Sequence, residues 1–101
     1  MVQGTISVII PAYNAADTLV RCLGAVCGQD DDDFEILVID DGSTDATSAV
    51  LSKFDVIALR NDGQRGPAIS RNRGADAARG AFLVFTDADC VPPSHWLKDI
   101  R

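Results

Sequence analysis

The sequence predicts a three-layer α/β fold, in which helices cover both faces of a Rossmann-like parallel sheet. One observation is the order of its segments. Short apolar runs rich in β-branched residues alternate with longer helical patterns, as β-α-β-α-β-α-β. The other observation is the length of the intervening segments, each of which allows a right-handed crossover between parallel strands. We expect the strand order 3-2-1-4, which reverses between the first and fourth strands.

The first strand and the first helix follow from local patterns. The β-branched run Ile6–Ile10 predicts the strand, and residues 11–14 predict a loop. We expect Asn14 to cap the helix, and the i, i+4, i+7 spacing of its apolar residues extends the helix to about Cys27. The segment Gln29–Asp33 is expected to be a solvated loop, because a loose run of aspartates without partner ligands is usually surface.

The second and third strands flank a second helix. Phe34–Ile39 is almost wholly apolar and predicts the second strand, whereas the shorter run Val56–Leu59 predicts a third strand near an edge of the sheet. The helix between them is expected to begin at a cap formed by Thr44 or Asp45. Four residues are expected on its inner face, namely Ala46, Ala49, Val50 and Phe54.

The last third of the chain predicts a third helix, a fourth strand and the beginning of another helix. Pro67 suits the first position of the third helix and Gly80 the position just past its end, and its alanines would let it lie close to the sheet. The apolar run that begins at Phe82 predicts a fourth strand buried on both faces. Pro92–Leu97 predicts a turn that leads into a helix.

Length and charge restrict the possible functions. A chain of 101 residues, 47% of them hydrophobic, is expected to form a single domain over 1–101 with its own core. The net charge of −6 argues against nucleic acid as a partner. The sequence shows no apolar run long enough for a membrane span and no cationic leader. We therefore expect a cytoplasmic chain, whose parent protein is free to work at the cytoplasmic face of a membrane.

The cysteines predict buried free thiols in a reducing compartment. Their number, three, is odd, and no C-x-x-C pair occurs. Cys22 and Cys27 are expected to be core residues of the first helix. A single histidine in the chain argues against a zinc site.

Polar side chains gather at the carboxyl ends of three predicted strands. Tyr13 follows the first strand, Asp40 and Asp41 follow the second, and Asp87 and Asp89 follow the fourth. In a parallel sheet these ends meet at one edge, where ligands bind. Four converging carboxylates repel one another unless a cation binds, and oxygen ligands without histidine favour Mg²⁺ or Mn²⁺. The pattern thus predicts a site for a nucleoside diphosphate and a metal ion, against the simpler interpretation of Asp-capped turns.

Two other classes of protein remain open at this point. A nucleotidyltransferase-like enzyme would have a glycine-rich, basic phosphate loop after the first strand, whereas Pro11–Asn14 contains neither glycine nor a basic residue. A non-catalytic nucleotide- or metal-binding module of the receiver type would need an acidic pair after the first strand, and here the pair follows the second. A dinucleotide-binding Rossmann domain is excluded, because no G-x-G-x-x-G follows any strand.

Four motifs, in order and spacing, resemble those of family 2 glycosyltransferases, which are nucleotide-sugar-dependent enzymes of the GT-A fold. They are I-S-V-I-I-P-A-Y-N at 6–14, V-I-D-D-G-S-T at 38–44, R-N-R-G at 71–74 and T-D-A-D at 86–89. The resemblance covers nearly the whole chain. It implies that the chain is the N-terminal, nucleotide-sugar-binding half of a GT-A fold.

The resemblance also implies roles for individual residues. The loop Pro11–Tyr13 would contact the nucleoside, and Asp41 would hydrogen-bond the base with Asp40 supporting it. Asp87 would hold the ribose or the sugar, and Asp89, together with Asp87, would hold Mn²⁺ or Mg²⁺ on the diphosphate. The implied donor-binding residues are Pro11, Ala12, Tyr13, Asn14, Asp40, Asp41, Arg71, Asn72, Asp87 and Ala88.

The same resemblance implies what lies outside this sequence. The donor would be a UDP-, GDP- or dTDP-linked sugar, and the sequence names neither the sugar nor the acceptor. The acceptor half of an inverting glycosyltransferase, with its catalytic carboxylate, is expected beyond Arg101, so no catalytic base is assigned within the chain. We therefore expect a donor-binding half that does not complete transfer by itself.

Overall fold

The computed structural model describes residues 3–101. Its strands are β1 (Ile6–Ala12), β2 (Phe34–Asp40), β3 (Ile57–Arg60) and β4 (Phe82–Phe85). Its helices are α1 (Ala16–Cys27), α2 (Thr47–Leu51), α3 (Pro67–Ala77) and α4 (Trp96–Ile100). None of these helices is long and apolar enough to span a membrane. The strands form a parallel sheet in the order β3-β2-β1-β4, which confirms the predicted α/β fold and strand order.

The strand β1 fills the core on both faces of the sheet. Ile6, Val8 and Ile10 are fully buried in one cluster with residues of α1, α2 and α4. Ile9 is equally buried in a second cluster, against which a residue of α3 packs. This alternation follows from the two-residue period of an extended strand. Helices therefore cover both faces, and the predicted three layers are present.

The helix α1 begins later than predicted, because Asn14 adopts a left-handed conformation with φ of 46°. Asparagine tolerates this conformation better than most residues. The N-cap position falls on Ala15, which makes no side-chain capping bond, and the helix then runs from Ala16 to Cys27. The predicted cap at Asn14 is therefore wrong, whereas the predicted end of the helix is confirmed.

The helix α2 is short and buries only part of its predicted inner face. Its N-cap position is Ala46, and the carboxylate of Asp45 accepts a hydrogen bond from the backbone N–H of Thr47 at 2.9 Å. Asp45 thus satisfies the start of the helix in the way expected of a cap. Val50 is buried and Phe54 packs against the core, but Ala46 and Ala49 are exposed, contrary to the prediction.

The helix α3 approaches the sheet through a glycine more than through its alanines. A Cβ on Gly74 would lie 2.5 Å from Ile9 Cγ2 and 2.7 Å from Ile39 Cδ1, so a larger residue would push the helix away. Ala75, and Ala78 just past the helix, pack against the same cluster. The predicted close approach is present, and Gly74 is its principal cause.

A hydrogen-bonded cluster joins three segments at the amino end of the sheet. Ser7 Oγ donates to Glu35 Oε2 at 2.6 Å and accepts from the backbone N–H of Gly80 at 2.8 Å. Glu35 Oε2 also accepts from the backbone N–H of Arg79 at 2.7 Å. A Cβ on Gly80 would lie 2.5 Å from Ser7 Oγ. The absence of a side chain at Gly80 therefore allows its backbone to approach Ser7 closely. The predicted position of Gly80 just past the end of α3 is wrong, because α3 ends at Ala77.

The strand β4 forms one edge of the sheet and exposes apolar side chains. Phe82, Leu83 and Phe85 remain 39%, 41% and 45% exposed. Among the described residues β4 pairs only with β1, so the prediction of a strand buried on both faces is wrong. The strand β3 forms the other edge, as predicted.

The acidic segment after α1 is not simply solvated. Asp31 pairs with Arg101, whose Nε lies 2.6 Å from Asp31 Oδ2. Asp30 pairs with Lys98 at 3.0 Å. These two ion pairs attach α4 and the residue after it to the loop before β2. The predicted solvated loop therefore has a structural role.

The three cysteines are free but differ in exposure. Cys22 is buried in the core, whereas Cys27 and Cys90 are exposed. The expectation of buried thiols is thus correct for Cys22 and wrong for the other two.

Candidate functional site

A pocket of about 210 Å³ lies at the carboxyl ends of β1, β2 and β4. The segments after these strands form its walls, and the first turn of α3 closes it. Its lining residues are Pro11, Ala12, Tyr13, Asp41, Gln64, Pro67, Ser70 and Asp87. In parallel α/β sheets, ligands bind in the crevice at this edge where the strand order reverses. We therefore take this pocket as the candidate site.

Larger depressions elsewhere do not combine these features. One of about 370 Å³ lies at the amino ends of β2 and β3, beside Cys27 and Asp55. Another, of about 820 Å³, lies between the acidic segment after α1 and α4, where Lys98 pairs with Asp30. A third, of about 470 Å³, lies beside α2 and β3. Position at three strand ends, rather than size, distinguishes the candidate site.

The carboxylate of Asp41 is buried at the pocket and accepts three hydrogen bonds. Oδ1 accepts from Asn61 Nδ2 at 2.8 Å and from the backbone N–H of Arg65 at 2.7 Å. Oδ2 accepts from the backbone N–H of Gly66 at 2.9 Å. Burial opposes ionisation, but these bonds outweigh it and hold the pKa of Asp41 below its ordinary value. Asp41 is therefore ionised at neutral pH and can only accept hydrogen bonds.

The side chain of Asp40 points away from the pocket. Asp41, the residue directly after the end of β2, lines the pocket instead. Asp40 Oδ2 pairs with Arg60 Nη1 at 2.7 Å, and Oδ1 accepts from the backbone N–H of Ser43 at 2.9 Å. Asp40 thus fixes the loop after β2. The predicted convergence of four carboxylates on one crevice is wrong in this respect.

The predicted loop after the first strand divides into two parts with different surroundings. Pro11 and Ala12 form the end of β1, and together with Tyr13 they line the pocket. Tyr13 is 42% exposed, so its ring is accessible from solvent. Asn14 faces elsewhere: its Oδ1 accepts from the backbone N–H of Thr44 at 2.7 Å. Asn14 therefore joins the segments after β1 and β2 without lining the pocket.

The R-N-R-G segment on α3 brings one arginine to the pocket. Arg71 Nη2 lies 3.6 Å from Asp87 Oδ1, and both side chains are substantially exposed. Arg73 points elsewhere, because its Nη1 donates to the carbonyl of Arg60 at 2.6 Å and to Asn61 Oδ1 at 2.8 Å. Asn72 is exposed and does not line the pocket. Of the predicted residues of this segment, Arg71 is thus the one beside Asp87.

The turn after β4 presents the acidic side chains. Asp87, Asp89 and Cys90 offer three ligand atoms that all lie within 4.8 Å of one another. The carbonyl of Asp87 accepts from the backbone N–H of Cys90 at 3.1 Å and from the thiol of Cys22 at 3.5 Å. Ala88 is buried between the two aspartates. Carboxylate oxygens are the ligands that Mg²⁺ and Mn²⁺ prefer, so this donor set fits such an ion.

The sequence patterns missed several residues that shape the pocket. Asn61 is buried and donates to both Asp41 and Ser70 Oγ, the latter at 3.1 Å. Gln64 and Ser70 line the pocket. Asn61 directly follows β3 and meets the strand-end criterion, whereas Gln64 and Ser70 lie away from any strand end and carry no such signal. Cys90 was detectable, since it directly follows the second aspartate.

Comparison with known proteins decides the family. The sequence profile of glycosyl transferase family 2 matches residues 7–100. The chain belongs to this family. The four motifs and the parallel sheet therefore have a common explanation, and the nucleotidyltransferase-like alternative is set aside.

Two glycosyltransferases with similar sequences are considerably longer than this chain. Glycosyltransferase AglE of Haloferax volcanii is 39% identical over 100 residues, covering 92% of this chain and 33% of AglE. The putative teichuronic acid biosynthesis glycosyltransferase TuaG of Bacillus subtilis is 32% identical over 99 residues, covering 93% of this chain and 38% of TuaG. The chain thus spans about a third of the length of these relatives.

Solved structures of glycosyltransferases share the fold of this family 2 chain. TarS residues 1–349 of Staphylococcus aureus, in complex with UDP-GlcNAc, matches with a TM-score of 0.90 at 31% identity, covering 95% of this chain and 30% of that one. Mannosyltransferase PcManGT of Pyrobaculum calidifontis, in complex with GDP-Man and Mn²⁺, matches with a TM-score of 0.87 at 26% identity, covering 95% and 33%. These matches confirm the GT-A type of fold.

Proposed function

We propose that this chain forms the donor site of an inverting glycosyltransferase, which binds a nucleotide-diphosphate sugar with a divalent metal ion and transfers the sugar to an acceptor hydroxyl. The observation that carries the proposal is the placement of Tyr13, Asp41 and Asp87 around one pocket. Family membership supports glycosyl transfer. Of two structures of the same fold, one holds UDP-GlcNAc and the other holds GDP-Man and Mn²⁺, which supports a donor of this class.

The nucleoside would occupy the pocket itself. Tyr13 offers an accessible ring for stacking on the base, and the end of β1 at Pro11 and Ala12 forms the adjoining wall. The ionised carboxylate of Asp41 would accept a hydrogen bond from an N–H on the edge of the base. Uracil, thymine and guanine each carry such an N–H, in agreement with a UDP-, dTDP- or GDP-linked donor. Asp40 and Asn14 would act indirectly, by fixing the surrounding loops.

The sugar diphosphate would lie along the turn after β4. Asp87 would hold the ribose or the sugar hydroxyls, and Asp89, with Asp87, would hold Mn²⁺ or Mg²⁺. The bound ion would supply neutralisation of the charge that develops on the leaving nucleoside diphosphate. Arg71, close to Asp87, is placed to contact a phosphate, and Asn72 and Ala88 would flank the donor.

Thermal denaturation with added ligands tests this proposal. UDP, GDP or dTDP should raise the melting temperature of the chain in the presence of Mn²⁺ or Mg²⁺ and raise it much less in their absence. A ligand that binds the folded state at 100 times its Kd adds about 2.7 kcal/mol of stability. For a domain of this size that corresponds to a shift of at least about 10 °C.

A matched pair of variants locates the metal ion. Asp89→Asn should abolish the metal-dependent part of the shift without unfolding the chain, because the side chain is exposed. Asp76→Asn removes an exposed carboxylate from α3 away from the pocket and should leave the shift unchanged. A folded chain that no nucleotide stabilises would contradict the donor site. An unchanged metal-dependent shift of the melting temperature in Asp89→Asn would mean that residues other than Asp89 bind the metal ion.

A further inference from the structure

The exposed thiol of Cys90 lies beside the two aspartates of the proposed metal site. We propose that Cys90 is a third ligand of the divalent ion and shifts the selectivity of the site from Mg²⁺ towards thiophilic ions such as Zn²⁺, Co²⁺ and Cd²⁺. The proposal rests on the donor site described above, in which Asp87 and Asp89 hold the ion. It adds to that site a residue that determines which ion binds.

The distances between the ligand atoms suit a shared ion. Cys90 Sγ lies 3.9 Å from Asp89 Oδ1. Two ligands of one Zn²⁺ stand at most about 4.4 Å apart, the sum of a Zn–S bond of about 2.3 Å and a Zn–O bond of about 2.1 Å. All three ligand atoms, including that of Asp87, lie within 4.8 Å of one another. Small side-chain rotations therefore bring the whole set into bonding range.

The backbone keeps the thiol at this position. The N–H of Cys90 donates to the carbonyl of Asp87 at 3.1 Å, so both residues belong to one tight turn. The same carbonyl accepts from the thiol of Cys22, which is fully buried on α1. The turn is thereby attached to the core. The thiol of Cys22 is buried and donates this hydrogen bond, whereas the thiol of Cys90 faces solvent next to the carboxylates.

A thiolate ligand changes the preference of the site. Mg²⁺ requires oxygen ligands in near-octahedral geometry, whereas thiolate ligands favour Zn²⁺ and other soft or borderline ions. Binding replaces the S–H bond of Cys90 with a metal–sulfur bond, and the proton passes to water. Two carboxylates and one thiolate supply only three ligands, so the ion keeps open positions for diphosphate oxygens.

Titration of the full chain with Cd²⁺ alone tests the proposal through the ultraviolet charge-transfer absorption of a cadmium–thiolate bond. The matched variants are Cys90→Ser and Cys27→Ser, which each remove one exposed thiol. The wild type and Cys27→Ser should show a saturable band, and Cys90→Ser should show none. The affinity of Cys90→Ser for Cd²⁺ should fall at least about tenfold, the effect that loss of even an outer-shell partner has at metal sites. Its affinity for Mg²⁺, measured by calorimetry, should stay unchanged.

The possible results separate this proposal from the proposed function. Absence of the band in the wild type, its persistence in Cys90→Ser or its loss in Cys27→Ser would each overturn the role of Cys90. If Mn²⁺ and UDP, GDP or dTDP still stabilise such a chain, the donor site stands and only the thiol ligand fails. If neither a divalent ion nor a nucleotide binds the folded chain, both the proposed donor site and the proposed role of Cys90 as a ligand are refuted.

Discussion

The carboxylate of Asp41 holds the segment between β3 and α3, and Asp41→Asn should loosen that segment. The substitution preserves the shape of the side chain but removes its charge and replaces one oxygen with an NH₂ group. If the remaining oxygen keeps its bonds to Asn61 and Arg65, the new NH₂ group faces the N–H of Gly66. That N–H is 2.9 Å from Oδ2 in the structure, so a hydrogen bond becomes a contact between two donors.

The expected decrease in the free energy of unfolding follows from these contacts. A hydrogen bond to a charged group contributes about 1.5–3 kcal/mol, and a buried donor without an acceptor costs about 1–3 kcal/mol. The N–H of Gly66 is only partly buried, so we expect the free energy of unfolding to fall by about 2–4 kcal/mol. In a domain of about 100 residues, this lowers the melting temperature by at least about 8 °C.

Urea denaturation at a series of pH values measures this effect. The pKa of Asp41 is held below its ordinary value of 3.8, so its stabilisation is present above that value and is lost as the pH falls through the folded-state pKa. The difference between wild type and Asp41→Asn should therefore be constant near neutral pH and shrink below about pH 4. Asp76→Asn is the control. A difference below about 0.5 kcal/mol at neutral pH, typical of surface substitutions, would refute the reasoning.

Two further predictions concern packing. Gly74→Ala should lower the free energy of unfolding by about 1–3 kcal/mol, because the new Cβ would overlap side chains of β1 and β2. Gly24→Ala on α1 is the matched control, where a Cβ meets nothing within 4 Å, and equal effects of the two in urea would contradict the close packing of α3. The exposed side of β4 should bind a hydrophobic dye and promote self-association in sedimentation velocity. Leu83→Thr with Phe85→Thr should reduce both signals, and unchanged dye binding would place the apolar surface elsewhere.

The sheet was predictable because its strongest signals are local. The runs that became β1 and β2 are almost wholly apolar, and segments of helical length separate the four strands. The meeting of Tyr13, Asp41 and Asp87 at one pocket followed from strand direction alone, because parallel strands bring their carboxyl ends to the same edge. The roles of these residues in donor binding stay predictions.

The errors arose where neighbours in space determine the outcome. An apolar run does not reveal how many strands or helices lie beside it, so the sequence predicts a buried strand where β4 in fact forms an edge. Asn14 is a good cap by local criteria, but its side chain bonds to Thr44, which is distant in sequence. Asp40 and Asp41 look like one cluster in the sequence, but neighbouring side chains of an extended chain alternate, so the two carboxylates point to opposite sides.

The contacts of Ser7 with Glu35 and Gly80 lie at the opposite end of the sheet from the pocket, yet they belong to the same strand register that places the pocket residues. Ser7 is paired with Glu35 in one parallel ladder and with Leu83 in the other, so these contacts align the beginnings of three strands. From that line, β1 and β2 each extend about 17 Å further, at about 3.3 Å per residue. A slip of one residue would move Asp41 by about 3.3 Å relative to β1 and turn its side chain away from the pocket. The strand register at the amino end of the sheet thus sets the relative positions of pocket residues at the carboxyl end, although the two ends make no contact.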